Sequence, residues 1–467
     1  MKFEFEKLGL LDEATLELAD LTLICGENNT GKTYATYMVY GFLRSWRILL
    51  QNVLVPEIKK MVSAKGAYTF DLNKMFDGKL NNYLDKMGDQ YVSLLPQVFA
   101  ANESFFSDTK IRISVDKLSF SQAKFHRTIK DGPAGKILAT LIKEQDSSVL
   151  ELMIADEDWV NSRFGGLGDF VADAVSDIVF SPHLPSVHIS SAERTGATIF
   201  RKELDFARTR MIEALGTMNA KDLRNPFKLF EHMDAGYAWP VRDNVDFVRE
   251  LEDIDKQTSP LAVANPALLE AFNAIIGGSY KVVKDQGLVY QPKGSGKQRF
   301  SMNESSSCVR ALLEVSFYLR CKAKLGDIFI IDEPELNLHP KNQRAFARLV
   351  ARMVNAGIRV FITTHSDYLI KELNTLIMLA QKTPHTREMQ QTYGYADEEL
   401  LNPQRVRLYM TGTELKAASV KGKRATRINT LKLATIYPDR GIEVTTFDTT
   451  IEEMNAIQSD ILYGGDI

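Results

Sequence analysis

Cysteine is scarce in this chain, and the three residues present are far apart. Cys25, Cys308 and Cys321 are the only cysteines among 467 residues, and no two of them have the spacing of a metal-binding pair. This spacing excludes a paired-cysteine zinc site. An odd number of scattered cysteines is typical of free thiols in a reducing compartment, so we expect buried thiols and a cytoplasmic location.

Long apolar runs and an excess of charge of one sign are also absent. No uncharged run approaches the roughly 18 apolar residues of a membrane-spanning helix. The first ten residues, MKFEFEKLGL, lack the apolar centre of a signal peptide, so we expect no membrane association. The formal net charge is −3. No overall basic field therefore points to nucleic acid, although a local basic face could still bind it.

The composition that is present belongs to a globular protein. Hydrophobic residues make up 45% of the chain and charged residues 25%, and the length suits two or three domains. No heptad repeat is sustained, so we expect no long coiled coil.

One short segment, ICGENNTGKTY, has the pattern of a phosphate-binding loop. It fits G-x-x-x-x-G-K-[ST] and lies between a strand-like segment, DLTLICG, and a helix-like one, YATYMVYGFL. In that setting backbone N–H groups converge on phosphate oxygens at a helix N-terminus. Lys32 would contact the β- and γ-phosphates, and Thr33 would place its hydroxyl on Mg²⁺. The residues predicted to bind the nucleotide are Gly26, Glu27, Asn28, Asn29, Thr30, Gly31, Lys32, Thr33 and Tyr34.

A second glycine-lysine segment, Gly294–Lys297, has a different context. It follows the strand pair SYKVVKDQGLVYQPK, and no helix opens after it. We therefore predict a turn there, and no second phosphate loop.

A cluster of acidic residues about three hundred residues downstream could complete a nucleotide site. In GDIFIIDEPELNLHP an apolar run suited to a buried strand ends at Asp332, where Mg²⁺ could be held, and Glu333 could orient and polarise water. A helix is predicted to begin at Pro340, and IRVFITT supplies the next parallel strand. His365 follows that strand, where its imidazole could reach a γ-phosphate.

These motifs together resemble the ABC-type ATPase heads of the OLD/RecF/SMC group. IFIIDE resembles Walker B with its catalytic glutamate, ELNLHP the D-loop and TTHSDYL the H-loop. The resemblance implies an α/β fold, a P-loop NTPase head with a mixed sheet and a large, mainly helical insertion. The head would comprise 1–50 and 275–380. The insertion would be 51–274, with strands near 185–200 that complete the head, and 381–467 would form a C-terminal α/β extension.

Two further predictions follow from the resemblance. SMNESSSCVR occupies the place of the ABC signature, with Ser305, Ser306 and Ser307 instead of the two usual glycines. An ordinary serine helix cap is the alternative. AERTG resembles a segment that related defence ATPases carry near the nucleotide. It suggests that Arg194 touches phosphate or couples the insertion to the site, with a surface salt bridge as the alternative.

The tail begins with QKTPHTREMQQTYGYADEELLNPQ, which is polar and irregular and is predicted to be a loop. OLD nucleases carry a Toprim domain at this end. The glutamate and D-x-D carboxylates that such a domain needs are not found here, so we expect no nuclease activity in this chain.

Three classes of function compete. The chain most resembles the ATPase subunit of PARIS-type antiphage systems, with Septu and retron-associated ATPases next. That resemblance implies ATP and Mg²⁺, a homo-oligomer of at least two heads, a separate Toprim-type nuclease effector and a phage-encoded trigger protein. A RecF/SMC-like DNA-repair ATPase is the alternative. A transporter subunit is disfavoured by the long insertion and the missing glycine signature.

Overall fold

The computed structural model describes residues 1–61, 67–115, 123–130, 135–155, 167–200, 236–284, 287–416, 425–443, 453–459 and 461. Residues 201–215 (RKELDFARTRMIEAL) have a helix-like sequence, and this predicted helix lies outside the described residues. No helix within them is long and apolar enough to cross a membrane.

The strands of the described residues are β1 (Lys2–Leu8), β2 (Leu11–Glu17), β3 (Leu21–Cys25), β4 (Ala67–Asp71), β5 (Lys110–Ser114), β6 (Phe125–Lys130), β7 (Ile137–Lys143), β8 (Val149–Ile154), β9 (Val187–Ser190), β10 (Gly278–Val283), β11 (Gly287–Pro292), β12 (Phe300–Ser301), β13 (Ile328–Asp332), β14 (Arg359–Thr364), β15 (Val406–Lys416), β16 (Thr426–Leu433), β17 (Ile436–Tyr437) and β18 (Gly441–Ile442).

The helices are α1 (Lys32–Met61), α2 (Leu72–Phe76), α3 (Leu80–Val92), α4 (Leu95–Phe99), α5 (Leu167–Val175), α6 (Arg194–Ile199), α7 (Trp239–Arg249), α8 (Leu251–Ile254), α9 (Pro260–Ala264), α10 (Pro266–Ile276), α11 (Ser307–Ala311), α12 (Leu313–Phe317), α13 (Pro340–Asn355), α14 (Asp367–Leu379) and α15 (Pro384–Thr392). Short 3-10 turns occur at Glu103–Phe106, Asp397–Glu399 and Pro403–Arg405, and π-helical turns at Ser176–Phe180 and Tyr318–Lys322.

The chain divides into two compact units, and the first comprises Met1–Glu17, Met38–Pro96 and Ala101–Ser186. It contains two antiparallel sheets, one with the order β2-β1-β5 and one with the order β4-β8-β7-β6. Because of the second sheet, residues 51–274 contain more strand than the mainly helical insertion that was predicted. Its strands alternate buried and exposed residues, as in VLELMI, which is the period of a strand and not of a helix.

The second unit comprises Leu18–Tyr37, Gln97–Ala100 and Val187–Ile467, and its centre is a six-stranded mixed sheet. The strand order is β16-β15-β3-β14-β13-β9. All neighbours run parallel except β16, which is antiparallel to β15. All residues of β3 and β13 are buried, as expected for parallel strands covered on both faces. The predicted fold class, an α/β P-loop ATPase with a mixed sheet, is confirmed.

Helix α13 shows how the sequence pattern builds this unit. It begins at Pro340, as predicted, and the side chain of His339 accepts a hydrogen bond from the N–H of Lys341. Its apolar residues fall on one face and belong to the same core as the strands β13 and β14. The buried residues are Phe346, Ala347, Leu349, Val350, Ala351, Met353 and Val354.

The loop predicted for the start of the tail is wrong over Pro384–Thr392, which form α15. None of its residues is buried, so no apolar periodicity indicates a helix. Two residues at the N-terminal end favour the helix instead. Thr383 caps it, since its Oγ1 accepts a hydrogen bond from the N–H of Thr386 at 3.1 Å, and Pro384 occupies the first helical position.

The cysteines differ slightly from expectation. Cys25 and Cys321 are buried free thiols, whereas Cys308, in the short helix α11, is only half-buried.

Candidate active site

The predicted phosphate loop lies between the C-terminal end of β3 and the first residue of α1. Gly26 and Gly31 have φ values of 142° and 102°, and Asn29 has a φ of 59°. These left-handed conformations turn the loop tightly, and only glycine adopts the first two without strain. A Cβ on Gly26 would lie 1.9 Å from Thr411 Oγ1. Glu27, Asn28 and Asn29 are exposed, so the loop is open to a ligand.

Lys32 lies inside this loop and is only 6% exposed. Its Nζ donates to the carbonyl oxygens of Gly26 at 3.1 Å and Glu27 at 2.6 Å. Burial lowers the pKa of Lys32, and the nearby charges of Glu333 and Asp332 oppose that fall. The ammonium is therefore held where phosphate oxygens would compete with the two carbonyls for its protons. Thr33 is exposed at the start of α1, so its hydroxyl is accessible to a metal ion, and Tyr34 is half-buried.

The acidic cluster lies at the same edge of the sheet as the loop. β14 separates β3 from β13, and its register pairs Thr364 with Cys25 and Thr363 with Asp332. Because neighbouring strands are about 4.8 Å apart, the ends of β3 and β13 are separated by roughly 10 Å. The phosphate loop and the acidic cluster, which are about three hundred residues apart in sequence, are therefore close to each other in space.

Asp332 is the last residue of β13 and is 3% exposed. Burial raises its pKa to about 6, and the Glu333 and Glu193 carboxylates add to the rise. The hydroxyl of Thr363 donates to Asp332 Oδ1 and opposes it. A divalent cation bound at Asp332 would offset the repulsion between these neighbouring carboxylates.

Glu333 and His365 contact each other at the edge of the sheet. His365 Nε2 lies 3.1 Å from Glu333 Oε1, and both side chains are about a quarter exposed. Glu333 has a φ of 48°, a left-handed conformation that is unusual for glutamate. Its N–H donates to both the carbonyl and the hydroxyl oxygen of Thr363 at 3.1 Å. The two predicted catalytic side chains are thus brought together and held by backbone contacts.

Glu335 takes part in this site although the sequence reasoning missed it. Its buried Oε1 accepts from the N–H of His365 at 2.5 Å and from the hydroxyl of Thr364 at 2.9 Å. Its Oε2 is buried without a hydrogen-bond partner among the described residues. The only sequence signal was a second glutamate two residues after the first in DEPE.

Thr411 is the second residue that the sequence reasoning missed. It lies in β15, next to β3, and its Oγ1 is 2.6 Å from the hydroxyl oxygen of Thr30 in the phosphate loop. Thr30 in turn donates to the carbonyl of Glu27 at 2.7 Å. No local pattern could have indicated it, because 381 residues separate the two threonines.

The three serines of the signature position make local contacts within one chain. The side chain of Ser306 accepts from the N–H of Val309 at 3.3 Å and so caps α11, of which Ser307 is the first residue. Ser305 is buried, and its hydroxyl donates to the carbonyl of Ser301 at 2.8 Å. The helix-cap alternative is therefore present, and a role across a dimer stays a prediction.

The prediction that Arg194 touches phosphate is corrected by the structure. Its side chain is 1% exposed, and its guanidinium donates to main-chain carbonyls, including those of Asp332 and Glu333. Arg194 is the first residue of α6, which follows β9, and β9 pairs with β13. The side chain is therefore buried next to the main chain of the acidic cluster.

The chemistry of these residues fits ATP with Mg²⁺. Within the described part of the chain no group of three or more histidine, cysteine or acidic residues could enclose a metal ion. Mg²⁺ bound to a nucleotide needs no such cage, since one or two protein ligands and phosphate oxygens suffice. Thr33 and Asp332 would hold it, and it would neutralise charge on the transferred phosphoryl group.

Comparisons with known proteins agree with this site in part. Residues 201–370 match the family described as AAA ATPase domain. The matched range contains the acidic cluster and His365 but not the phosphate loop. No curated protein matched the chain. The match and the geometry of the site support ATPase activity.

Solved SMC head domains are also similar to this chain over most of its length. An Smc head bound to the C-winged helix domain of ScpA is 13% identical, with 92% of this chain and 97% of that chain covered and a TM-score of 0.33. The SMC head domain from Thermotoga maritima is 8% identical, with coverages of 93% and 98% and a TM-score of 0.29. An Smc head with an extended coiled coil bound to the C-terminal domain of ScpA from Pyrococcus furiosus is 12% identical, with coverages of 98% and 98% and a TM-score of 0.31.

Proposed function

We propose that this chain binds ATP with Mg²⁺ and hydrolyses it by the ABC-type arrangement. One observation carries the proposal: the phosphate loop with Lys32 lies at the same sheet edge as Asp332, Glu333 and His365. Lys32 binds the β- and γ-phosphates, and Glu333 orients and polarises the attacking water. His365 holds the Glu333 carboxylate through their hydrogen bond and lies beside the position of the γ-phosphate.

Nucleotide titration tests this proposal, and the chain offers a matched control. Lys32→Ala removes the buried ammonium and is expected to abolish ATP binding. Lys297→Ala removes the lysine of the other glycine-lysine segment, which forms a turn after β11, and should leave ATP affinity unchanged. Undiminished ATP affinity in Lys32→Ala would contradict the proposed site. Equal losses in both variants would point to a non-specific charge effect.

We further propose that two heads enclose ATP, with the phosphate loop of one facing Ser305–Ser307 of the other. Ser306 is exposed at the N-terminal end of α11. A second subunit can therefore reach it without unfolding the helix. In this arrangement the γ-phosphate decides whether the interface holds, because the ATP and ADP states bind the partner with different affinity.

At the cellular level we propose a sensor and scaffold subunit of an antiphage defence system. The resemblance to PARIS-type ATPases, the serine-rich signature and the AERTG segment support this role. The oligomer would hold a separate Toprim-type nuclease and release it when a phage-encoded protein is recognised.

Copurification tests the cellular proposal against the DNA-repair alternative. The chain would be purified from cells that also express the neighbouring genes, and its mass and bound proteins would be measured. A bound nuclease supports the defence role. DNA affinity that falls steeply with salt, in the absence of a protein partner, supports a RecF/SMC-like repair ATPase and contradicts the defence role.

A further inference from the structure

Arg194 connects three separate segments of the second unit through main-chain carbonyls. Its Nε donates to Ala311 O at 2.9 Å, and its Nη1 donates to Ser191 O at 2.8 Å and Asp332 O at 2.6 Å. Its Nη2 donates to Glu333 O at 2.8 Å. A planar guanidinium can bind several acceptors at fixed angles, which a lysine ammonium on a flexible stem cannot do.

The contact with Glu333 bears on the position of the proposed general base. A left-handed non-glycine residue persists only where its surroundings over-determine the backbone. At Glu333 the N–H is held by Thr363, and the carbonyl is held by Arg194. Loss of the guanidinium would leave the carbonyls of Asp332 and Glu333 without these hydrogen bonds, and the Glu333 side chain would move with the released main chain.

The contact with Ala311 brings the signature segment into the same network. Ala311 is the last residue of α11, the helix that Ser306 caps. The short helix therefore has its N-terminal end at the predicted dimer interface and its C-terminal end on Arg194. Glu314, one turn further, is also buried, and burial raises its pKa to about 8; burial lowers the pKa of Arg194, and the Glu314 carboxylate opposes that fall. The hydroxyl of Ser190 donates to Glu314 Oε2 at 3.0 Å, which ties this carboxylate to β9.

We propose that Arg194 is a positioning residue that couples the helix Ser307–Ala311 to the backbone of Glu333. Movement of that helix, when Ser306 meets nucleotide on a second subunit, shifts the general base between two positions. The proposal rests on the ATPase function proposed above and adds to it a route by which dimerisation controls hydrolysis.

The first experiment separates binding from turnover. Arg194→Lys keeps the charge but cannot bridge the carbonyls, so kcat should fall by about 10- to 100-fold, the loss expected for a misplaced catalytic group. ATP affinity should stay within about twofold, because Arg194 makes no contact with the phosphate loop among its hydrogen bonds. Arg405→Lys is the control. Arg405 also bridges a carboxylate and a main-chain carbonyl, those of Asp20 and Val354, but away from the acidic cluster.

The outcomes of this experiment distinguish the two proposals. If the wild-type protein does not hydrolyse ATP, both the proposed ATPase function and the proposed coupling are wrong. Wild-type turnover with an unchanged kcat in a folded Arg194→Lys variant overturns the coupling alone. Equal losses of kcat and of thermal stability in Arg194→Lys and Arg405→Lys also overturn it, since a structural role would then suffice.

Hydrogen exchange tests the coupling even if Arg194→Lys fails to fold. Ser306 is exposed, so Ser306→Ala is expected to fold. On addition of ATP, peptides covering 307–311 and 333–338 should both become protected in the wild type. In Ser306→Ala the protection of 333–338 should be lost. Protection of 333–338 that is the same in both proteins would overturn the proposal.

Discussion

Thr411→Val removes a single hydroxyl that connects strand β15 to the phosphate loop. The Thr411 and Thr30 hydroxyl oxygens are 2.6 Å apart, and Thr30 donates to Glu27 O, which also accepts from Lys32 Nζ. Valine keeps the branched shape and the strand propensity of threonine. The substitution therefore removes the hydrogen bond to Thr30, together with a long one to Cys25 O at 3.4 Å, without opening a cavity.

The expected loss of affinity follows from one hydrogen bond. A net intramolecular hydrogen bond contributes about 1 kcal/mol. Thr30 is half-exposed, so water can satisfy its oxygen and no large penalty for an unpaired buried group is added. Since about 1.4 kcal/mol corresponds to tenfold in affinity, ATP should bind about fivefold more weakly.

Calorimetric titration of ATP, at fixed Mg²⁺ and salt, measures this change. Thr411→Ser is the matched control, because serine keeps the hydroxyl and loses only the methyl group, and its affinity should be close to that of wild type. Wild-type affinity in Thr411→Val would refute the idea that β15 supports the loop through this hydroxyl. Equal weakening in both variants would assign the effect to packing.

Three further predictions concern hydrolysis, assembly and pH. Glu333→Gln should keep ATP bound and slow hydrolysis by about 10²-fold or more, as expected for loss of a general base; single-turnover assays with labelled ATP measure it. Neither a Lys32→Ala subunit nor a Ser306→Ala subunit should be active alone, but their mixture should recover some sites if the signature acts across the dimer. Burial lowers the pKa of His188 from 6.5 to about 4. The unfolded state therefore takes up the proton first, and the free energy of unfolding should fall between pH 6.5 and pH 4. His188→Phe should flatten that fall in denaturant titrations.

Each of these predictions has a result that would contradict it. Wild-type turnover in Glu333→Gln removes that residue from the role of base. A mixture that stays inactive, although subunit exchange is confirmed by mass, counts against the trans arrangement. A stability profile of His188→Phe parallel to that of wild type shows that other groups dominate below pH 6.5.

The tail shows where sequence patterns fail. The helix Pro384–Thr392 buries no residue, so it has no apolar stripe, and its polar sequence looks like a loop. The carboxylate of Glu399 is nevertheless buried between Arg348 and Arg352 of α13. These arginines hold the residues that follow the helix, and Thr383 caps the helix itself. A long-range ion pair leaves no periodicity in the sequence.

The sequence by itself determined the parts of this protein whose physics is local. The glycine spacing and Lys32 specify the phosphate loop, and an apolar run that ends in Asp332-Glu333 specifies a buried strand with carboxylates at its end. Both the loop and the strand depend only on residues that are close together in the sequence. The rules for parallel sheets then predicted that the two would share an edge.

Only the tertiary structure decided what supports these residues. Thr411 reaches the phosphate loop from 381 positions away, and Arg194 binds backbone carbonyls, which every residue carries and no sequence pattern distinguishes. Glu335, the third carboxylate of the cluster, accepts a hydrogen bond from the N–H of His365, and a contact to the main chain likewise leaves no pattern in the sequence. Contacts between distant segments depend on which strands become neighbours, and that choice is made by burial of the whole core and not by any local run of residues.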